Sequence, residues 1–208
     1  MMNNTARCAE PRPAANHDPS VDGFARDLAA ALATRPRSIS PKYFYDVQGS
    51  ALFDRICDLP EYYPTRTEMA ILRGQAADIA AQMGPRAEIV EFGAGSCTKV
   101  RVLLDALDAP ARYLPIDISG EHLSVAAAEL RRDYPGLDVQ PVVADYTQRL
   151  LLPARLPGAG QRVGFFPGST IGNFTPAEAF YYLQVAAQVL RGGALLLGAD
   201  LVKDPAVL

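Results

Sequence analysis

Gly93 and Gly95 interrupt an apolar run, Ile89-Val90-Glu91-Phe92, just before Ser96-Cys97-Thr98-Lys99 open a helical pattern. Glycines at such a point let the backbone turn sharply and approach a ligand, while the free N–H groups of the helix start face it. Asp117 ends a second apolar run, Tyr113–Ile116, where a carboxylate can accept from both hydroxyls of an adenosine ribose. Asp145-Tyr146 follows a third run; there the acid can accept from an adenine amino group while the next backbone N–H reaches a ring nitrogen. Lys99 stands in the first turn of a helix, where its charge opposes the dipole, so an anionic group in the crevice is expected to offset it. Each position has a plainer alternative: a tight turn at the glycines, a helix cap at Asp117 or Ser119, a loop acid at Asp145, a solvated lysine. Successive strand ends that each supply one ligand-binding group form a stronger signal than any one of them.

These residues need a particular scaffold. The third glycine of a dinucleotide-binding loop is replaced by Thr98, which weakens a nicotinamide or flavin reading. Short apolar runs alternate with helical patterns, which predicts an α/β fold with a doubly wound, mostly parallel sheet and right-handed crossovers. The strands are expected at Ile89–Phe92, Tyr113–Ile116, Val139–Val143, Val163–Phe166 and Ala194–Gly198. Helices are expected near Thr98–Leu107, Glu121–Tyr134 and Pro176–Leu190, with Pro153–Gly160 a loop. A strand order of 3-2-1-4-5 would set the loops Gly93–Lys99 and Gly168–Asn173 across one crevice, at the switch point where such sheets hold ligands.

The first 84 residues follow another plan. Met1 to about Pro19 is rich in proline and small polar residues and is expected to be a mobile arm. Ser20 can cap a helix to about Thr34 carrying Phe24, Leu28 and Leu32, stopped by Pro36. Another helix is expected from Ser50 to Leu59, with Leu52, Phe53 and Ile56 facing in. Thr65 or Thr67 could cap a third helix carrying Ile71 and Leu72. Tyr43, Tyr45, Tyr62 and Tyr63 sit in two proline-pinned turns around the second helix. Phenols there suit either a pocket wall with a hydrogen-bond handle or packing under a cap. The expected organisation is an arm over 1–19, a helical and aromatic cap over 20–84, and a ligand-binding domain over 85–208.

Composition narrows the field. The 208-residue chain is 49% hydrophobic, enough to bury a sizeable core, and its net charge of −3 comes without a dense Lys/Arg cluster. That gives no electrostatic footprint for nucleic acid or an anionic membrane. Cys8, Cys57 and Cys97 lack Cys-x-x-Cys spacing and only two histidines occur, so neither a disulfide framework nor a zinc site is expected. The expected compartment is the cytoplasm, with no membrane span and no apolar leader core.

The Glu91-Phe92-Gly93-Ala94-Gly95 loop looks like that of S-adenosylmethionine (SAM) methyltransferases of class I, with a Rossmann-like sheet. Further runs sharpen the likeness: Phe44-Tyr45-Asp46, Gly49-Ser50, Leu52-Phe53-Asp54, Leu59 to Glu68 (LPEYYPTRTE), Gly168 to Pro176 (GSTIGNFTP) and Asp200 to Asp204 (DLVKD). Together they resemble the L-histidine Nα-methyltransferases of ergothioneine biosynthesis, over nearly everything from about Ser40 onward. That resemblance implies SAM as cofactor and three methylations of the histidine α-amino group to give hercynine. By motif match it implies that Gly93, Gly95, Lys99, Asp117, Asp145 and Tyr146 hold SAM. It further implies that Tyr62 faces the imidazole, that Asn173 meets the substrate carboxylate, and that Tyr45 and the Gly168 carbonyl lie near the amine. Members of that family run on well past the equivalent of Leu208 into a substrate domain and the last strands. The chain is therefore expected to be an N-terminal portion of a protein that is monomeric at full length, and to fall short of trimethylating histidine by itself.

Methyl transfer from a sulfonium needs a neutral amine lone pair aimed at the methyl carbon, so positioning supplies most of the catalysis. Tyr45 is the expected catalytic residue. An ordinary tyrosine, with a pKa of about 10, is a poor base at neutral pH and is better suited to orient a water or the amine than to abstract a proton. Two rivals share the cofactor residues: an N-methyltransferase for another small amine or amino-acid derivative, and a truncated, non-catalytic SAM-binding protein.

Overall fold

The computed structural model describes residues 21–37 and 39–204. The expected arm over 1–19, the Ser20 cap, Cys8 and the segment 205–208 lie outside the described residues. The chain divides into two compact units, one ending at Tyr43 and one beginning at Phe44. In the first, helix α1 (Val21–Ala33) meets Tyr43, whose ring packs edge-on against Phe24 at 5.0 Å. The Tyr43 hydroxyl also donates to Asp27 Oδ2 at 2.5 Å.

The second unit holds α2 (Val47–Cys57), α3 (Tyr63–Met83) and the alternating sheet-and-helix region. Its strands are β1 (Glu88–Phe92), β2 (Arg112–Asp117), β3 (Asp138–Val139), β4 (Val142–Val143), β5 (Arg162–Phe166) and β6 (Ala194–Leu197). Between them run α4 (Thr98–Ala106), α5 (Gly120–Asp133) and α6 (Pro176–Leu190). The strand path is β3-β2-β1-β5-β6, with β4 also on β2, and each pairing is parallel. This is the expected 3-2-1-4-5 order in a doubly wound, Rossmann-like sheet, with the third strand in two pieces. Pro141 divides it, since proline has no N–H to give the ladder. Gln140 N still donates to Tyr113 O on one side of the break at 2.9 Å, and Ala144 N to Asp117 O on the other at 3.0 Å.

Central strands are buried on both sides, as their continuous apolar runs require. On one face Ile89, Tyr113, Val163 and Phe165 meet Leu72 of α3, Val100 and Leu103 of α4, and Leu123 and Leu130 of α5. On the other, Val90, Phe92, Leu114, Ile116 and Phe166 meet Tyr182, Val185 and Leu190 of α6. Three expectations about the helices are corrected. Helix α2 begins at Val47 rather than Ser50, because Asp46 Oδ1 caps it by accepting from Gly49 N at 2.7 Å. Leu52 and Ile56 are exposed rather than inward, since α2 rests on α5, which covers only part of its apolar stripe. Helix α3 starts at Tyr63 with Pro64 in its first turn and no side-chain cap, so Thr65 and Thr67 lie inside it.

A buried ionic network ties the strands together at the edge where β1 and β5 begin. Glu88 Oε2 accepts from Arg162 Nε at 2.9 Å, and Glu88 Oε1 accepts from Leu156 N at 2.7 Å. Arg112 Nε reaches Asp138 Oδ2 at 2.7 Å, joining β2 to β3. Glu88 is fully buried and the Arg162 side chain nearly so. Removing one partner strands the other charge away from water. Glu88→Ala should therefore destabilise the chain by about 3–5 kcal/mol, read as a lowered denaturant midpoint. A loss under about 1 kcal/mol, the value of an exposed pair, would show that the network is solvated in solution.

Candidate functional site

The loop after β1 is built by backbone bonds to the neighbouring strand. Gly93 N and Ala94 N both donate to Ile116 O, at 2.9 and 3.0 Å, which carries the chain over the end of β2. Gly93 has φ +72°, a backbone conformation that disfavours a side chain, and it lies against the Tyr146 ring. Cys97 then takes the left-handed conformation that starts α4. Asp117 lies directly across: its Oδ2 accepts from Gly95 N at 3.0 Å and its Oδ1 from Ser119 N at 2.9 Å. Each oxygen has a further lone pair, so the same carboxylate can take two vicinal hydroxyls while it holds the loop. Asp145 Oδ1 accepts from Thr147 N at 2.9 Å and from its hydroxyl at 2.5 Å, which fixes the turn after β4. Tyr146 packs edge-on against Phe92 and Phe166, and burial lifts its phenol well above the usual range. Gly93, Gly95, Asp117 and Tyr146 thus form one patch.

Lys99 and Gly168 meet at Glu68, the last residue of the LPEYYPTRTE run. Lys99 Nζ donates to Glu68 Oε2 at 2.6 Å. Gly168 N donates to the same carboxylate, at 2.8 Å from Oε1 and 2.9 Å from Oε2. The local reason for a lysine in the first turn of α4 is therefore a carboxylate of α3. Lys99 still has N–H groups to offer an anion, since its side chain is 21% exposed. Beyond Gly168, Ser169 is left-handed and Thr170–Asn173 form one short 3-10 turn that leaves Asn173 exposed. Ser169 Oγ accepts from Asp200 N at 2.9 Å, and Asp200 is also bonded to the Tyr63 hydroxyl and to Lys203.

The four tyrosines separate by role. Tyr43 serves the first unit and Tyr63 anchors Asp200. Tyr45 and Tyr62, from opposite ends of α2, share Phe53: the ring centroids are 5.7 Å apart for Tyr45–Phe53 and 6.0 Å for Phe53–Tyr62. Burial, then the nearby Cys57 and Asp117 charges, raise the Tyr45 pKa; burial, then Cys57, raise that of Tyr62. Both phenols are therefore neutral near pH 7, which suits Tyr45 to orienting rather than proton abstraction. Arg66 folds back to donate to Leu59 O at 2.6 Å and Tyr62 O at 3.3 Å, holding the turn that presents Tyr62.

Sequence reasoning did not single out Glu68, Arg66 or Glu91. A signal existed for Glu68, since Lys99 needed a partner, and for Glu91, an acid inside an apolar strand. Glu91 is buried on the sheet face that carries α4, where the Tyr113 hydroxyl donates to its Oε2 at 2.5 Å. Burial pushes its carboxyl up to about 8, and that of the neighbouring Cys97 thiol up to about 12. Among the described residues no group of three or more His, Cys, Asp or Glu side chains could hold a metal ion.

The model of the SAM-dependent histidine-specific methyltransferases matches residues 24–208. The chain belongs to this family. It is 44% identical over 191 residues to the histidine N-alpha-methyltransferase of Mycolicibacterium smegmatis, covering 90% of this chain and 58% of that relative. It is 33% identical over 176 residues to the ergothioneine biosynthesis protein 1 of Neurospora crassa, covering 82% of this chain and 20% of that one. The chain therefore spans little more than half the length of the first of these relatives. Among solved structures, a protein from Bordetella parapertussis aligns with a TM-score of 0.52 at 18% identity, over 89% of this chain and 56% of that one, a likeness of fold.

The Glu91 carboxyl generates a pH prediction. A folded pKa of about 8, against an ordinary value of 4.5, means that the native state keeps a proton the unfolded state has released. Stability from this group is full below the unfolded value and declines as pH rises toward the folded one, by roughly 1.4 kcal/mol per pH unit. Glu91→Gln copies the neutral acid and should remove that slope. The variant and wild type should melt alike near pH 5, with the variant more stable near pH 8.5. Parallel melting curves across that range would mean that Glu91 is ionised in the fold.

Proposed function

We propose that the chain binds SAM in the crevice between the loops after β1 and β5, as part of an enzyme that methylates the α-amino group of histidine to hercynine in ergothioneine biosynthesis. The observation that carries this reading is the convergence of Gly95, Asp117 and Tyr146 on one side with Lys99 and Gly168 on the other. The family and the relatives' activities support the substrate.

The donor set fits the cofactor. In this reading Asp117 takes the ribose hydroxyls, and Asp145 with the Tyr146 backbone takes the adenine edge. Lys99 takes the methionine carboxylate, and the Gly93–Gly95 turn admits the chain of the ligand closely. SAM supplies an electrophilic methyl group on a sulfonium. The protein's part is placement: Tyr45 and the Gly168 carbonyl orient the amine, Asn173 holds the substrate carboxylate, and Tyr62 lines the imidazole side. Neutral aromatic faces at Tyr45, Phe53 and Tyr62 also suit an amine that becomes a quaternary cation. Residues 85–208 are the cofactor domain in this reading, and α2 and α3 carry the aromatic wall. No helix among the described residues is long and apolar enough to cross a membrane. We place the protein in the cytoplasm, where the unpaired thiols of Cys57 and Cys97 suit a reducing compartment.

Calorimetric titration of the chain with SAM tests the site. Asp117→Ala should weaken binding by about 1.5–3 kcal/mol, since charge-assisted hydrogen bonds are lost. Unchanged affinity would move the cofactor elsewhere. For the substrate, methylation of histidine is followed by mass spectrometry in a protein extended to the relatives' length. Asn173→Ala there should raise the histidine concentration needed for turnover and leave SAM affinity nearly unchanged. Methylation of another small amine in place of histidine would reassign the substrate.

A further inference from the structure

Glu68 sits where three separate pieces of chain meet. Its carboxylate receives Lys99 Nζ at 2.6 Å from the start of α4 and Gly168 N at 2.8 Å from the loop after β5. A Cβ on Gly198, just past β6, would lie 2.0 Å from Glu68 Oε1, so only glycine leaves room for the carboxylate there. Glu68 and Lys99 keep 17% and 21% of their side-chain surface exposed, so the pair is reachable from solvent.

A leucine there would leave the Lys99 ammonium and the Gly168 N–H without this acceptor. A carboxylate that divides itself between the two also couples them. An anion arriving at Lys99 must share the ammonium with Glu68, and whatever Glu68 loses toward Lys99 changes its hydrogen bonds to Gly168. We propose that Glu68 is a positioning residue, which transmits occupation of the cofactor-carboxylate subsite at Lys99 to the loop that begins at Gly168 and carries Asn173. The inference rests on the SAM reading given above. Its consequence for the reaction is order: the substrate loop takes its working geometry when the cofactor is in place, with Glu68 touching neither reactant.

The test uses the 15N-labelled chain and S-adenosylhomocysteine, the methyl-free product of SAM, as a probe that cannot react. Calorimetry first establishes that the probe binds. In the wild type, the Gly168 amide resonance should then move on saturation. Glu68→Gln still offers a carbonyl oxygen to Gly168 N, so the amide should stay protected from hydrogen exchange while its probe-induced displacement falls by more than half. Glu68→Ala should lose both, with Gly168 exchanging roughly tenfold to a hundredfold faster. A merely structural role would leave the displacement in Glu68→Gln equal to that of the wild type, and this result overturns the proposal. Binding with an unmoved Gly168 amide in the wild type also overturns it and leaves the cofactor site standing. Absence of binding overturns the cofactor reading and the proposal together.

Discussion

The ion pair between Glu68 and Lys99 holds the site in a way that the sheet alone does not. Parallel strands fix where β1 and β5 end, and main-chain bonds from Gly93 and Ala94 to Ile116 tie the first loop to β2, but the β1–β5 register ends at Glu91 and Phe165. A carboxylate brought in by α3 supplies the missing constraint. It accepts from one loop through a side chain and from the other through the main chain, at hydrogen-bond distances. Its charge also offsets the cost of a lysine at the positive end of α4. The geometry of the crevice mouth is thus set by a residue that belongs to neither strand.

Beneath the crevice, the fold separates stability from chemistry by placing them at opposite ends of the strands. The charges at the strand starts, Glu88, Arg112, Arg162 and Asp138, are paired with one another, the first three of them buried and Asp138 partly exposed. At the strand ends, Asp117 and Lys99 are only half-buried and keep hydrogen-bonding capacity beyond their internal partners. A ligand can exploit the second arrangement but not the first. Glu91 lies between the two regimes: it is buried just before the Gly93–Gly95 loop, and burial pushes its carboxyl up to about 8, which favours the neutral acid.

The aromatic residues extend the same division. Phe92, Tyr146, Phe166 and Tyr182 form a packed cluster against the sheet, with centroids from 4.4 to 6.3 Å apart. Tyr45, Phe53 and Tyr62 form a more open row on α2 and its flanking turns. The first group makes Tyr146 rigid beside Gly93. The second is only partly buried, and Arg66 holds its turn by three main-chain carbonyls.

Much of this was legible in the sequence because it depends on local signals. Apolar runs marked the strands, Gly93 and Gly95 marked the loop, and Asp117 and Asp145 followed their strands at the expected points; the supposed 3-2-1-4-5 order is the one the sheet has. The motifs around Tyr62 and Gly168 carried the family resemblance. Boundaries failed where one residue changed the outcome: Pro141 broke a strand, Asp46 started α2 early, and Pro64 moved the start of α3. Tertiary structure alone decided the partners. Glu68 and Gly168 are a hundred residues apart in the chain, and no periodicity links a mid-helix glutamate to a backbone N–H on a distant loop. The same holds for the exposure of Leu52 and Ile56 and for the raised pKa of Glu91. Each depends on how many atoms from elsewhere in the chain lie within a few ångströms, which the order of residues does not state.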